Sequence, residues 1–281
     1  MRSLVREALT AFFAAAALSA GAPASVAEAP HRRVVVFTKT AGFRHDSIPE
    51  AIDAVRRLGA DGRFAVDATE DAARFTDDGL SPYDAVLFLL TTGDVLDAGQ
   101  EAALQGYRRP SAGVAYSPGP AFGGRLVRSG RGFVGVHSAS DTEHGSEWFR
   151  ALVRAEFASH PAIQPARLRV EDLVHASTRA LPESWPRTDE WYNFTNNPRG
   201  TVHVLVTLDE STYGGGAMGT DHPISWCRYF EGGRTWYTAL GHTRGSYAEP
   251  LFLEHLAGGI RFAAGYPDCD AASPRTVPPR P

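Results

Sequence analysis

The sequence predicts an α/β fold with a doubly wound, mostly parallel sheet. Short apolar, β-branched runs without polar alternation are typical of strands that are buried on both faces. Segments with helical spacing separate these runs, as parallel crossovers require. Polar tips with Gly, His or Asp follow four of the runs, at residues 33–38, 84–90, 132–137 and 234–240. Since ligands collect at the carboxyl ends of parallel strands, we expect a functional site along that edge.

The first half of the chain alternates regularly between strands and helices. After the first strand and a motif loop, apolar residues recur at helical spacing. Asp97 is a good amino-terminal cap for a later helix, and Glu101 lies near its positive end. The predicted strands are 33–38, 63–68, 84–90 and 132–137, and the predicted helices are 48–58, 97–107 and 147–153.

The second half is less regular. Its runs at 167–170 and 202–208 predict strands, and the Trp-, Pro- and Asn-rich segment 182–200 between them predicts a long loop. The runs 224–230 and 234–240 flank Glu-Gly-Gly and predict a hairpin. A helix at about 250–263 then closes the domain.

The amino terminus has the layout of a secretory signal peptide, which we assign to residues 1–29. Two arginines precede an Ala-rich apolar stretch that is too short for a comfortable membrane span, and small residues and Pro follow. A retained amino-terminal anchor is the alternative. We therefore expect a secreted or extracytoplasmic protein, in which Cys227 and Cys269 either pair or stay as two thiols.

The mature chain predicts one domain at 32–264. Residues 108–126 are Gly- and Pro-rich without periodicity, and we expect an inserted loop there. The Pro-, Asp- and Ser-rich tail 265–281 is expected to be disordered.

Composition narrows the classes of partner. The chain has 281 residues, 43% hydrophobic and 21% charged, with a formal net charge of −4. Because no Lys/Arg cluster stands out, neither nucleic acid nor, after signal cleavage, a membrane is indicated as a partner. The oligomeric state is left open.

Several histidines and acids lie in the motif loops, and they are the candidates for chemistry. Imidazole and carboxylate groups act near neutral pH as general acids and bases or as metal ligands. Because tight ligand spacing such as H-E-x-x-H is absent, a divalent metal site would have to assemble from distant loops. The predicted catalytic residues are His45, His137, Glu190 and His222.

A second set of residues is predicted to bind substrate. Glu190 stands beside aromatic residues, as in sugar sites where rings pack on C–H faces, although those rings could instead belong to the core. Arg44 either binds a polar group or pairs with Asp46. The predicted substrate-binding residues are Arg44, Ser138, Asp141, Trp191, Tyr192 and His242. We expect the remaining histidines to be structural or on the surface: His144, His160, His175, His203 and His255.

Five motifs together resemble the ThuA-like (trehalose-utilisation) family over about residues 32–264. They are GFRH at 42–45, GVHSASD at 135–141, DEWY at 189–192, DHPISW at 221–226 and GH at 241–242. The resemblance implies a flavodoxin-like sheet of the class I glutamine-amidotransferase type. It also implies a role in carbohydrate metabolism, including the processing of oxidised (3-keto) glycosides. The insertion at 108–126 departs from the family pattern.

The amidotransferase comparison also limits the chemistry. Those enzymes place a nucleophilic Cys in a G-x-C-x-G turn, and His137 occupies the corresponding position here. A thiolate mechanism is therefore disfavoured, and attack by Ser138 is disfavoured because the G-x-S-x-G elbow is absent.

The sequence thus predicts an exported protein that acts on a small carbohydrate. For a 3-keto-glycoside, His137 or Glu190 would remove a proton beside the carbonyl, while His45, His222 or a divalent metal ion assists departure of the glycosidic oxygen. Glycoside hydrolysis by two carboxylates is less favoured, because the sequence offers no obvious acidic pair. The alternative is a non-catalytic sugar-binding domain that uses the same crevice.

Overall fold

A computed structural model describes residues 32–62, 64–108 and 131–266. The predicted signal peptide, nearly all of the inserted loop, Cys269 and most of the predicted tail lie outside these ranges. Predictions about those segments, including the pairing of Cys227, stay predictions.

Within the described ranges, nine strands form one sheet and two short strands form a separate ribbon. They are β1 (Arg32–Phe37), β2 (Phe64–Thr69), β3 (Ala85–Leu89), β4 (Gly132–Val136), β5 (Phe157–Ser159), β6 (Gln164–Val170), β7 (Ser184–Asp189), β8 (Asn193–Phe194), β9 (His203–Asp209), β10 (Pro223–Phe230) and β11 (Gly233–Thr238). The order in the sheet is β2-β1-β3-β4-β11-β10-β9-β6-β7, and β5 pairs with β8.

Helices cover both faces of the sheet. They are α1 (Ile48–Gly62), α2 (Asp77–Leu80), α3 (Ala98–Arg108), α4 (Glu147–Val153) and α5 (Pro250–Ala263). On β11, Trp236 packs against His255 of α5, whereas the next residue, Tyr237, faces the opposite side and stacks on Trp226. On that opposite side, Phe149 of α4 packs against Phe133 of β4. The predicted doubly wound α/β fold is confirmed.

The parallel strands match the sequence predictions closely. β1, β3, β4 and β11 pair in parallel, and every residue of β3 and β4 is buried. This burial on both faces is why their sequences read as continuous apolar runs. The predicted helices are also confirmed, with α1 extending four residues beyond the predicted end at residue 58.

The segment 182–200 corrects a prediction, because it contains strands rather than one long loop. β7 alternates between exposed and buried residues and pairs antiparallel with β6. Pro186 made β7 hard to recognise as a strand in the sequence, since proline is unfavourable in a central strand. β7 lies at the end of the strand order in the described sheet, where one row of N–H groups needs no partner.

The antiparallel strands return the chain to the edge where the parallel strands end. From β11 to β7 the sheet reverses direction at each of four pairings, β11/β10, β10/β9, β9/β6 and β6/β7. β7 therefore runs in the same sense as β11. The carboxyl ends of β1, β4, β7 and β11 all lie at one edge.

The predicted hairpin between β10 and β11 is confirmed. Its two turn residues, Glu231 and Gly232, have φ values of 48° and 82°. Positive φ at both positions is the signature of the tight turn that matches strand twist.

Among the helices of the described residues, none has the length and apolar character that a membrane crossing needs.

Candidate functional site

Four side chains meet at the carboxyl edge of the sheet. One nitrogen or carboxylate oxygen from each of His45, His137, Glu190 and His242 lies within 4.8 Å of the others. They follow β1, β4, β7 and β11, so strand direction explains their convergence. We call this group the four-residue cluster. It unites three of the predicted catalytic residues with His242, which was predicted to bind substrate.

His137 is the first residue after β4 and adopts φ 53°, a left-handed conformation that is uncommon for residues other than glycine. Its Nδ1 donates a hydrogen bond of 2.7 Å to the carbonyl oxygen of Ala239, and its own carbonyl accepts one of 2.8 Å from the Tyr237 hydroxyl. In the neutral ring, the proton on Nδ1 leaves the Nε2 lone pair directed into the cluster. The fold thus fixes both the turn and the tautomer.

Glu190 lies between two imidazoles. Its Oε2 is 3.1 Å from His242 Nδ1 and 3.4 Å from His137 Nε2. Burial raises the pKa of the Glu190 carboxyl, but the hydrogen bonds and charges of His137 and His242 outweigh burial and hold that pKa far below its usual value. Burial likewise disfavours charge on His242, yet its hydrogen bond to Glu190 raises the pKa of His242 overall.

His45 completes the group from the loop after β1. It is only 4% exposed, and its ring centroid is 5.0 Å from those of both His137 and His242. Its Nδ1 is buried without a hydrogen-bond partner. Burial, followed by the charges of His137 and His242, lowers the pKa of His45 to about 3.

A buried carboxylate behind the cluster holds the loop that carries His242. Asp189, the last residue of β7, accepts hydrogen bonds from the backbone N–H groups of Gly241 (2.8 Å) and His242 (3.1 Å). Gly241 has φ 103°, which favours glycine. Arg187 lies 3.0 Å from Asp189 and compensates its buried charge. Sequence reasoning missed Asp189 as a positioning residue, although the motif DEWY contains it.

Two further side chains line the approach to the cluster. Phe43 is 66% exposed, and its ring meets that of His45 edge to face at 4.9 Å. His160 Nδ1 lies 3.0 Å from Glu190 Oε1, and its side chain is 41% exposed. This exposure agrees with the prediction that His160 is a surface residue, and its contact with Glu190 also places it beside the four-residue cluster. Its only local signal was that it precedes a proline, as His222 does.

His222 is separate from the four-residue cluster, which corrects its predicted catalytic role. It is fully buried, with Nε2 2.8 Å from the carbonyl oxygen of Tyr192 and Nδ1 2.9 Å from Glu210. Asp221 does not orient it but forms ion pairs with Arg199. With both ring nitrogens bonded inside the fold, His222 supports structure.

The predicted substrate-binding residues divide between the site and its surroundings. Tyr192 is buried and stacks on His137 at 4.2 Å between ring centroids. Trp191 is a core residue whose Nε1 donates to the carbonyl oxygen of Gln164. Ser138 is fully buried, and its hydroxyl has no hydrogen-bond partner.

The remaining two predicted residues form ion pairs. Arg44 pairs with Glu70 at 2.7 Å rather than with Asp46. Asp141 lies 3.0 Å from His144 Nε2, and burial raises the pKa of its carboxyl. The structure thus brings neither of them into the four-residue cluster.

The four-residue cluster can do two kinds of chemistry. Its imidazoles and carboxylate can move protons to and from a bound molecule, and the same atoms are suitable ligands for a divalent transition-metal ion. Both uses require that a molecule or an ion can reach the four-residue cluster from solvent. The exposed Phe43 and the partly exposed His160 lie between the cluster and solvent.

Comparisons with known proteins agree with the fold. No curated protein sequence matches this chain significantly. A ThuA-like protein from Bacteroides uniformis is 23% identical, with 86% of this chain and 94% of that chain covered and a TM-score of 0.67. Another from Parabacteroides merdae is 17% identical, with coverages of 83% and 90% and a TM-score of 0.60.

The fold also occurs within a larger protein, a β-galactosidase from Bacillus circulans sp. alkalophilus. That match covers 82% of this chain and 30% of the other, with 13% identity and a TM-score of 0.50. The family model described as ThuA, trehalose utilisation, matches residues 33–116 and 123–263. The chain therefore belongs to the ThuA, or trehalose utilisation, family.

Proposed function

We propose that this protein is an exported carbohydrate-processing enzyme, a hydrolase or lyase acting on glycosides and in particular on 3-keto-glycosides. The observation that carries the proposal is the convergence of His45, His137, Glu190 and His242 beside an exposed aromatic ring. Family membership supports the carbohydrate class of substrate. The signal-like sequence at 1–29 supports export.

A 3-keto-glycoside suits this cluster because its carbonyl at C3 acidifies the C–H bond at C2. A base removes that proton, the electron pair forms the C1=C2 double bond, and the C1–O glycosidic bond breaks. The departing oxygen takes a proton from an acid. If water then adds at C1 and a proton returns to C2, the net reaction is hydrolysis; without that addition, it is elimination.

The positions of the side chains suggest the roles. His137 Nε2 and Glu190 Oε2, 3.4 Å apart, are the acceptors that would take the C2 proton. His242 replaces His222 as the candidate donor to the leaving oxygen, since it borders the same acceptors and is partly exposed. Asp189 would hold His242 in place through backbone hydrogen bonds.

Phe43 is the feature that favours a sugar over a small polar molecule. An aromatic ring that is 66% exposed beside a buried polar cluster offers an apolar surface to the C–H face of a pyranose. We propose that this ring holds the sugar against the four-residue cluster.

The test is a paired substrate panel. Purified full-length protein is incubated with glycosides, including trehalose, and with their 3-keto counterparts, and released sugar and conjugated enone are measured. We expect cleavage of at least one 3-keto-glycoside that is lost in His137→Ala. Binding of the same sugars without any cleavage, with or without added divalent metal ion, would contradict the enzymatic proposal and favour the binding domain.

A further inference from the structure

We infer that His45, His137, Glu190 and His242 form a binding site for one divalent transition-metal ion of the zinc type. Three imidazoles and one carboxylate are a common ligand set for such ions. The role of the ion in catalysis rests on the proposed function and is the alternative to direct proton transfer by His137, Glu190 and His242, because a lone pair that binds a metal ion cannot also accept a proton. Binding of the ion does not rest on that function.

The spacing of three of the four ligand atoms matches a bound ion, and the ligand atom of His45 lies within 4.8 Å of the other three. With bonds of about 2.0–2.1 Å, neighbouring ligands in a tetrahedral site lie roughly 3.3 Å apart. His137 Nε2 is 3.1 Å from His242 Nδ1, and Glu190 Oε2 is 3.1 Å from His242 Nδ1 and 3.4 Å from His137 Nε2. The three imidazole centroids are each 5.0 Å apart.

When the His137 ring is neutral, hydrogen bonding alone leaves this arrangement incompletely satisfied. Because His137 Nδ1 donates to Ala239, Nε2 of the neutral ring is an acceptor that faces another acceptor, Glu190 Oε2. A single proton on His242 Nδ1 cannot make a full hydrogen bond to His137 Nε2 and to Glu190 Oε2 at the same time. In addition, Nδ1 of His45, a residue that is only 4% exposed, has no hydrogen-bond partner. A single cation would satisfy these lone pairs together.

Hydrogen bonds from outside the four-residue cluster already orient two of its members, His137 and His242, as metal ligands need to be oriented. The Ala239 carbonyl fixes the His137 ring, and Asp189 fixes the backbone at His242. Such outer contacts orient metal ligands and set their tautomers. A bound ion would supply Lewis-acid polarisation of a substrate carbonyl or of water, on the side where the exposed Phe43 and His160 lie.

The experiment is metal analysis of the full-length protein as purified and after chelation and dialysis against Zn²⁺, Co²⁺ or Mn²⁺. We expect about one ion per chain, a visible Co²⁺ spectrum typical of nitrogen ligation, and loss of both in His45→Ala and His137→Ala. His144→Ala is the matched control, since this exposed histidine lies outside the cluster and should leave the metal content unchanged. Circular dichroism verifies folding, and Glu190→Gln provides a milder variant that should weaken binding at least tenfold.

Two results would overturn the inference. One is a folded wild-type protein that holds no ion and takes up none. The other is a stoichiometric ion that persists in both histidine variants. The proposed function fails separately: a protein that binds one ion but cleaves no sugar keeps the metal site, whereas full cleavage by metal-free protein removes the catalytic role of the ion and keeps the enzyme.

Discussion

Two groups of buried histidines in this molecule differ in what their nitrogens contact. His222 and His255 each have both ring nitrogens bonded to groups of the fold, such as the Tyr192 carbonyl for His222 and the Ser177 carbonyl for His255. His45 and His137 instead turn nitrogens toward one another, His242 and Glu190, and one nitrogen of His45 has no partner. Burial of a histidine is therefore weak evidence of function, and an unmet nitrogen alone adds little, since Nε2 of the buried His175 also has no partner. Nitrogens shared among several titratable side chains are stronger evidence.

The largest effect that we expect is on turnover, when a member of the four-residue cluster is replaced. Glu190→Gln should reduce turnover by roughly 10²–10⁴-fold, the usual contribution of a positioned acid–base group, with only a small change in melting temperature. Turnover of candidate glycosides and thermal unfolding are measured on the same preparations. Wild-type turnover in this variant would remove the four-residue cluster from the chemistry.

Asp189→Asn tests the cluster from outside, because Asp189 positions His242 through a backbone hydrogen bond and does not itself belong to the four-residue cluster. The variant leaves buried Arg187 without its full countercharge and weakens the contacts to the Gly241 and His242 amides. We expect a loss of about 3–5 kcal/mol in the free energy of unfolding, since a buried pair is broken. A lower kcat with little change in KM would indicate positioning; unchanged kcat in the folded fraction would restrict Asp189 to stability.

His255→Leu examines the structural group. It leaves the Ser177 carbonyl and the Thr238 hydroxyl without their partner, which should cost roughly 1–3 kcal/mol of unfolding free energy. Chemical denaturation measures this cost. Turnover per folded molecule should stay at the wild-type level, and a selective loss of turnover would mean that the two histidine groups are not functionally distinct.

Phe43→Ala should have the smallest effect on the protein and a moderate one on substrate. Because the ring is largely exposed, stability should change by no more than about 0.5 kcal/mol. Loss of the stacking surface should raise KM about tenfold, equivalent to roughly 1.4 kcal/mol. Phe43→Trp, which keeps an aromatic face, is the matched control; equal KM values in all three proteins would exclude a sugar contact at this position.

The sequence predicted the parallel half of the molecule well, because continuous apolar runs and helical spacing carry local signals. It missed β7, because Pro186 and the polar residues around it in SWPRTD are typical of a loop. Strand tips identified His45 and His137, but Glu190 reaches them only through four antiparallel reversals, which local patterns do not encode. His222 has a motif context as prominent as that of His242, and only the three-dimensional arrangement separates them.

The most direct measurement of the central claim is cleavage of a 3-keto-glycoside in D₂O by wild-type protein and His137→Ala, followed by NMR. We predict that the wild type releases sugar and loses the C2 proton, which is replaced by deuterium on hydrolysis or absent from the enone on elimination, and that His137→Ala does neither at a comparable rate. Cleavage that leaves the original C2 proton in the wild-type product, or equal proton loss in the variant, would contradict proton removal at the four-residue cluster.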